Sequence, residues 1–174
     1  MVQFVLWLLL SIPLVWFSWK FLNDPKTYGF YRFFAFESIL ALVLLNGNSW
    51  FVDPWAPRQI FSWLLLLASL FLVLHGFHLL RRIGQPQGKV ENTTRLVQMG
   101  AYKYIRHPLY SSLLWLGWGA FLKHISPLSL LLALICTAAV MLTAHHEEQE
   151  CLRKFGRAYQ EYMRKTKRFI PFVF

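Results

Sequence analysis

Between Ile60 and Leu80 the chain carries about 21 consecutive residues without an Asp, Glu, Lys or Arg. As a helix such a run is roughly 31 Å long, enough to cross a hydrocarbon core of about 30 Å. Four further apolar stretches accompany it: Val2–Leu22, broken by Pro13 and Lys20; Phe30–Leu45, which contains Glu37; Leu109–Leu122; and Leu128–Ala144. Backbone amides in lipid must be satisfied within the segment or by a closed barrel, and no strand-type alternation is present, so the spans are helices. Composition agrees: 56% of the 174 residues are hydrophobic and 15% charged, against about 25% in a soluble domain. Cys136 and Cys151 form neither a metal spacing nor a disulfide framework. The amino-terminal stretch lacks a positive n-region and is too long for a signal peptide, so it reads as a retained span. The expectation is an all-α, polytopic integral membrane protein of about five transmembrane helices, folded as a single domain over residues 1–174.

The net charge of +10 would suggest nucleic acid in a soluble protein. In a membrane chain it reports first on topology and on anionic headgroups, and no nucleic-acid partner is expected. With five spans, one face collects Lys20, Lys26 and Arg32, then Arg81, Arg82, Lys89, Arg95, Lys103 and Arg106, then Arg153, Lys154, Arg157, Arg164, Lys165, Lys167 and Arg168. The other face holds Arg58 and Lys123. The positive-inside rule then places the 81–108 loop and the C-terminal tail in the cytoplasm and the N-terminus outside. The sequon Asn92-Thr93-Thr94 would lie on the cytoplasmic side, away from glycosylation. Residues 123–127 are short enough to make the last two spans an antiparallel hairpin.

Polar chemistry therefore belongs on the inner face. There Pro108 pre-sets the first turn of the fourth span and delivers Arg106, His107 and Tyr110 together at its mouth. A helix N-terminus favours anions, so this cluster is either a ligand site or a basic, aromatic anchor that fixes helix depth. The fifth span ends in His145-His146-Glu147-Glu148-Gln149-Glu150. Three carboxylates at a helix C-terminus oppose the macrodipole, so they either meet a cationic partner or form a solvated cap paired with nearby Arg and Lys. Leu152, Phe155, Tyr159 and Tyr162, three and four residues apart among basic residues, give a C-terminal amphipathic helix lying on the membrane or on the protein's own inner face.

The pattern Gly100-x-Tyr102-x-Tyr104-x-Arg106-His107-Pro108-x-Tyr110, followed by Glu147-Glu148-x-x-x-Leu152-x-x-Phe155-Gly156-x-x-Tyr159-x-x-Tyr162 and by Arg168-Phe169-Ile170-Pro171, resembles the isoprenylcysteine carboxyl methyltransferases. That family is related to the phospholipid N-methyltransferases. The resemblance covers residues 60–174, a family-like catalytic core; residues 1–58 are less typical. It implies an enzyme that transfers methyl from S-adenosylmethionine to a lipophilic, membrane-embedded acceptor through a carboxylate, amine or thiol. It assigns the cofactor to Gln87, Thr94, Arg95, Leu96, Val97, Gly100, Tyr102, His107, Tyr110 and Glu147, the chemistry to Arg106 and Glu148, and no metal. The residue types suit a ligand with a carboxylate, a cationic centre, hydroxyls and an aromatic ring. Two positions depart from the eukaryotic prenylcysteine enzymes: Thr143 replaces an arginine and Thr94 a histidine. Another lipophilic acceptor is therefore as compatible as a prenylcysteine.

Two other classes compete, the second through the relatedness of the resembled family to the sterol-reductase architecture. One is a non-catalytic membrane protein whose basic inner face recruits anionic lipid or a partner; the other is an oxidoreductase of sterol-reductase type. Glu37 inside a span faces either an internal cavity or a snorkelling route toward Arg32. His75 and His78 share a face but lack the histidine-box spacings of membrane di-iron enzymes.

Overall fold

A computed structural model of the chain describes residues 2–25, 27–85 and 93–173. Six α-helices follow in order: α1 (Val2–Leu22), α2 (Tyr28–Leu45), α3 (Pro57–Arg82), α4 (Pro108–Lys123), α5 (Pro127–Phe155) and α6 (Arg157–Lys165). Among the described residues no β-strand forms, and one isolated parallel bridge joins Ile105 to Lys167. Helices α1, α2, α3 and α5 are long and apolar enough to cross a membrane. The fold is thus the expected all-α, polytopic membrane architecture. The fourth expected span, α4, has 16 residues and rises about 24 Å, less than a full hydrocarbon core. Pro108 and Pro127 occupy the first positions of α4 and α5, where a missing N–H costs nothing.

The tail differs from expectation in one respect. Leu152 and Phe155 belong to α5, which runs 29 residues, far past its apolar part. Gly156, at φ 55°, then breaks the chain before α6. The predicted amphipathic tail is therefore two pieces, and the buried tyrosines Tyr159 and Tyr162 lie on the nine-residue second one.

The chain divides into two compact units, one extending to Leu67 and including Leu113–Glu147, the other comprising Ala68–Ser112 and the chain from Glu148 onward. In the first, most of α1 is exposed, as suits a lipid-facing helix; its buried residue is Ser18. Ser11 on α1 donates to Glu37 Oε2 on α2 at 2.8 Å, so the intramembrane carboxyl is tied across the helix pair. Arg32 instead lies over the rings of Phe17, Phe21 and Tyr28. Leu42, Ala120, Phe121 and Ala133 form the core.

Polar groups lock one end of that unit. Lys123, read from the sequence as a loop charge, is fully buried. Its Nζ donates to Gln59 Oε1 at 3.0 Å and stands 3.6 Å from the Trp63 ring centre. Asn46 Nδ2 donates to Ala120 O, and Ser62 Oγ to Gly119 O. In the second unit Ser69 Oγ donates to Ser112 O at 2.7 Å, joining α3 to α4. Gly76 permits that approach, since a Cβ there would meet Leu109 at 3.1 Å.

Candidate functional site

The second unit gathers the chemistry-bearing segments around the start of α4. Before that helix, residues 100–103 form a single 3-10 turn. Gly100 sits at φ 57°, and a Cβ there would collide with His75 and Leu79 of α3. The turn is pinned to α3 by Ala101 N–H, which donates to His75 Nε2 at 3.3 Å. The chain then runs extended beside the tail: Lys167 N donates to Tyr104 O, Arg106 N to Lys167 O and His107 N to Arg168 O. Ser111 Oγ donates to Phe169 O at 2.8 Å, and the Phe169 side chain is buried beside the His107 ring. The tail is thereby stitched to the mouth of α4.

Glu148, 2% exposed, sits at the centre. Its Oε1 accepts from Arg106 Nε at 2.8 Å and lies 3.3 Å from His107 Nε2. Its Oε2 accepts from Arg168 Nε at 3.0 Å and Nη2 at 2.5 Å. A carboxylate only accepts, so His107 carries its hydrogen on Nε2 in this arrangement. Arg106 Nη1 also donates to Met163 O and Thr166 O, committing that guanidinium to the protein on two sides. Two guanidiniums against one carboxylate leave a net positive charge in a confined place, which favours an anionic ligand group.

The other sequence-assigned residues fall into place around this knot or apart from it. Tyr102, Val97 and Tyr110 are buried. The Tyr110 ring stacks on His107 with centroids 5.5 Å apart, and the Tyr102 carbonyl accepts from Tyr162 Oη at 2.6 Å. Burial raises the Tyr162 phenol above its ordinary value. Thr94 and Arg95 close the inner loop, both backbone amides donating to Gly84 O while Thr94 Oγ1 donates to Gln85 O. Arg95 is exposed and Leu96 half-buried. Gln87, and Asn92 of the sequon, lie outside the described residues. Glu147 closes the other unit's segment; its Oε2 is buried and has no hydrogen-bond partner among the described residues.

Two participants were absent from the sequence assignment. In the sequence Arg168 counts as a topological charge and as the start of the Arg168-Phe169-Ile170-Pro171 ending of the motif, with no site role assigned to it. His75 was weighed only as a metal ligand, whereas it accepts a backbone N–H.

The profile of the phospholipid methyltransferase family matches residues 57–159. Over 130 residues the chain is 25% identical to the methanethiol S-methyltransferase of Pseudomonas sp. (strain GM41(2012)), covering 70% of this chain and 49% of that protein. The methanethiol S-methyltransferase of Crocosphaera subtropica is 29% identical over 115 residues, 64% of this chain and 44% of its own. The Delta(14)-sterol reductase of Mus musculus is 34% identical over 85 residues, 46% of this chain and 20% of the reductase. The chain thus spans about half the length of these methanethiol S-methyltransferases.

Proposed function

The chain belongs to the phospholipid methyltransferase family, and from that premise we propose that it transfers a methyl group from S-adenosylmethionine to a lipophilic acceptor drawn from the bilayer. The observation that carries the reading is Glu147, a half-buried residue whose Oε2 is itself buried and has no hydrogen-bond partner among the described residues. A buried acceptor without a donor is costly, and a ligand bearing an ammonium, sulfonium or ribose hydroxyl removes that cost. S-adenosylmethionine, when bound, supplies an electrophilic methyl group on a sulfonium centre.

The protein's contribution is to hold, orient and exclude water, which is where most of the acceleration of an in-line displacement arises. Taken by itself in the first unit, Glu147 offers an acceptor to a cationic or hydroxyl group of the cofactor. Within the second unit, the positive excess around Arg106 and Arg168 suits a carboxylate, and the His107–Tyr110 stack offers an aromatic surface. Thr94 to Val97, Gly100 and Tyr102 line the approach with backbone groups, and Gln87 joins them only through the family resemblance. Arg106 and Glu148, tied to each other, act by positioning His107 and the tail. The catalytic core spans 60–174, and the site faces the cytoplasm with the N-terminus outside, following the charge asymmetry.

The acceptor is an apolar molecule carrying a carboxylate, amine or thiol; the names of the two relatives favour a thiol. Incubating membranes that contain the protein with methyl-labelled S-adenosylmethionine should move label into an extractable lipid-phase or volatile product. No labelled product above that of membranes lacking the protein would sink the reading. The similarity to a sterol reductase supports a second reading, a nicotinamide-dependent oxidoreductase. Binding of NADPH in place of S-adenosylmethionine in a direct competition would favour it.

A further inference from the structure

Outside the membrane-spanning helices, the approach to α4 and the tail expose apolar side chains next to one another. Tyr104 is 47% exposed, Ile170 44%, Phe172 80% and Val173 70%. The Tyr104 and Phe172 rings meet edge to face at 6.0 Å, so the two segments present one apolar patch rather than scattered residues. Phe172 adopts φ 66°, a left-handed conformation that a bulky aromatic rarely takes. Such backbone strain, used to turn a ring outward, has no purpose in water and a clear one where the ring is buried by something else.

The charge pattern identifies that something. Residues 93–110 and 162–173 contain no Asp or Glu, yet they carry Arg95, Lys103, Arg164, Lys165 and Lys167 besides the two arginines bound to Glu148. Lys103 and Lys167 are exposed and flank the patch in sequence. An aromatic and aliphatic tip with exposed cations beside it, Lys103 Nζ lying 5.7 Å from the Tyr104 ring centre, is the kind of surface that inserts among headgroups while pairing with anionic lipid. We propose that Tyr104 and the 170–173 tip form a wedge that docks into an anionic lipid leaflet, with Lys103 and Lys167 as its headgroup contacts. This inference stands apart from the methyl-transfer reading and survives its failure.

The test uses the full chain with Cys136→Ala and Cys151→Ser, a spin label at Phe172→Cys, and reconstitution in nanodiscs of phosphatidylcholine with or without phosphatidylglycerol. Accessibility to oxygen and to a water-soluble nickel chelate reports the label's depth. In the anionic discs the oxygen-to-nickel ratio should rise several-fold over that of a label at the exposed Glu161→Cys. Lys103→Glu with Lys167→Glu should remove the anionic increment, each charge accounting for roughly fivefold in partition. Salt at 1 M, where the Debye length shrinks to about 3 Å, should do the same. A label at Val173→Cys serves if the Phe172 variant does not fold. A ratio equal to the Glu161 control in both lipids overturns the proposal. So does burial that depends on protein concentration and not on phosphatidylglycerol, which would identify a second copy of the chain as the occupant.

Discussion

Two buried charges organise this molecule in opposite ways. Lys123, in the first unit, is a cation held by the Gln59 carbonyl oxygen and the faces of Trp63 and Trp50, with the Arg58 guanidinium donating to its backbone carbonyl. Glu148, in the second, is a lone anion held by an excess of positive charge from Arg106 and Arg168, with His107 alongside. The first cluster consumes its charge within the protein and acts as a fastener. The second leaves positive charge over; Glu147, which closes the first unit's segment, has a buried Oε2 with no hydrogen-bond partner among the described residues. Surplus positive charge suits an anionic ligand group; a cation enclosed by Gln59 and two indoles serves packing instead.

The largest effect should come from breaking the anion's cluster. Glu148→Ala strands the largely enclosed Arg106 guanidinium and the partly exposed Arg168 one and should cost about 3 kcal/mol, seen as loss of folded protein or a fall of the unfolding midpoint in detergent. Lys123→Ala removes a desolvated cation–π contact and leaves Gln59 Oε1 without its donor, for about 2 kcal/mol. Lys123→Met keeps the packing and should recover part of this. If Lys123→Ala proves costlier than Glu148→Ala, the contrast between the two clusters is wrong. Tyr162→Phe, which deprives the Tyr102 carbonyl of its donor, should cost about 1–2 kcal/mol. Because burial raises the Tyr162 phenol, the folded state keeps that proton where the unfolded chain releases it. The associated stability is complete below about pH 10 and drains away as pH rises beyond it. Tyr162→Phe should flatten this alkaline decline in a pH series of unfolding midpoints.

Much of the architecture was legible because lipid imposes simple rules. Runs of apolar residues located the first four helices to within a few positions, whereas α5 runs eleven residues past its expected end at Ala144. The site was legible only in part. Arg106, His107 and Glu148 were visible as clusters at two helix ends, but their mutual hydrogen bonds depend on tertiary geometry that no periodicity encodes. Arg168 shows the limit: its charge was counted toward topology, yet its guanidinium turns inward because the 166–169 backbone pairs with 104–107. Lys123 shows the converse, since a single lysine between two spans reads as solvated unless Gln59, Trp50 and Trp63 are known to converge on it. The split of the tail at Gly156 was missed because apolar spacings of three and four continue smoothly across it.

The most direct measurement is calorimetric titration of S-adenosylmethionine into the detergent-solubilised protein and into Glu147→Gln. The wild-type chain should bind, and the variant, unchanged in its unfolding midpoint, should bind roughly ten- to a hundredfold more weakly, the worth of a hydrogen bond to a charged group. Equal affinity in both proteins would contradict the assignment of Glu147, and no binding by either would contradict the function itself.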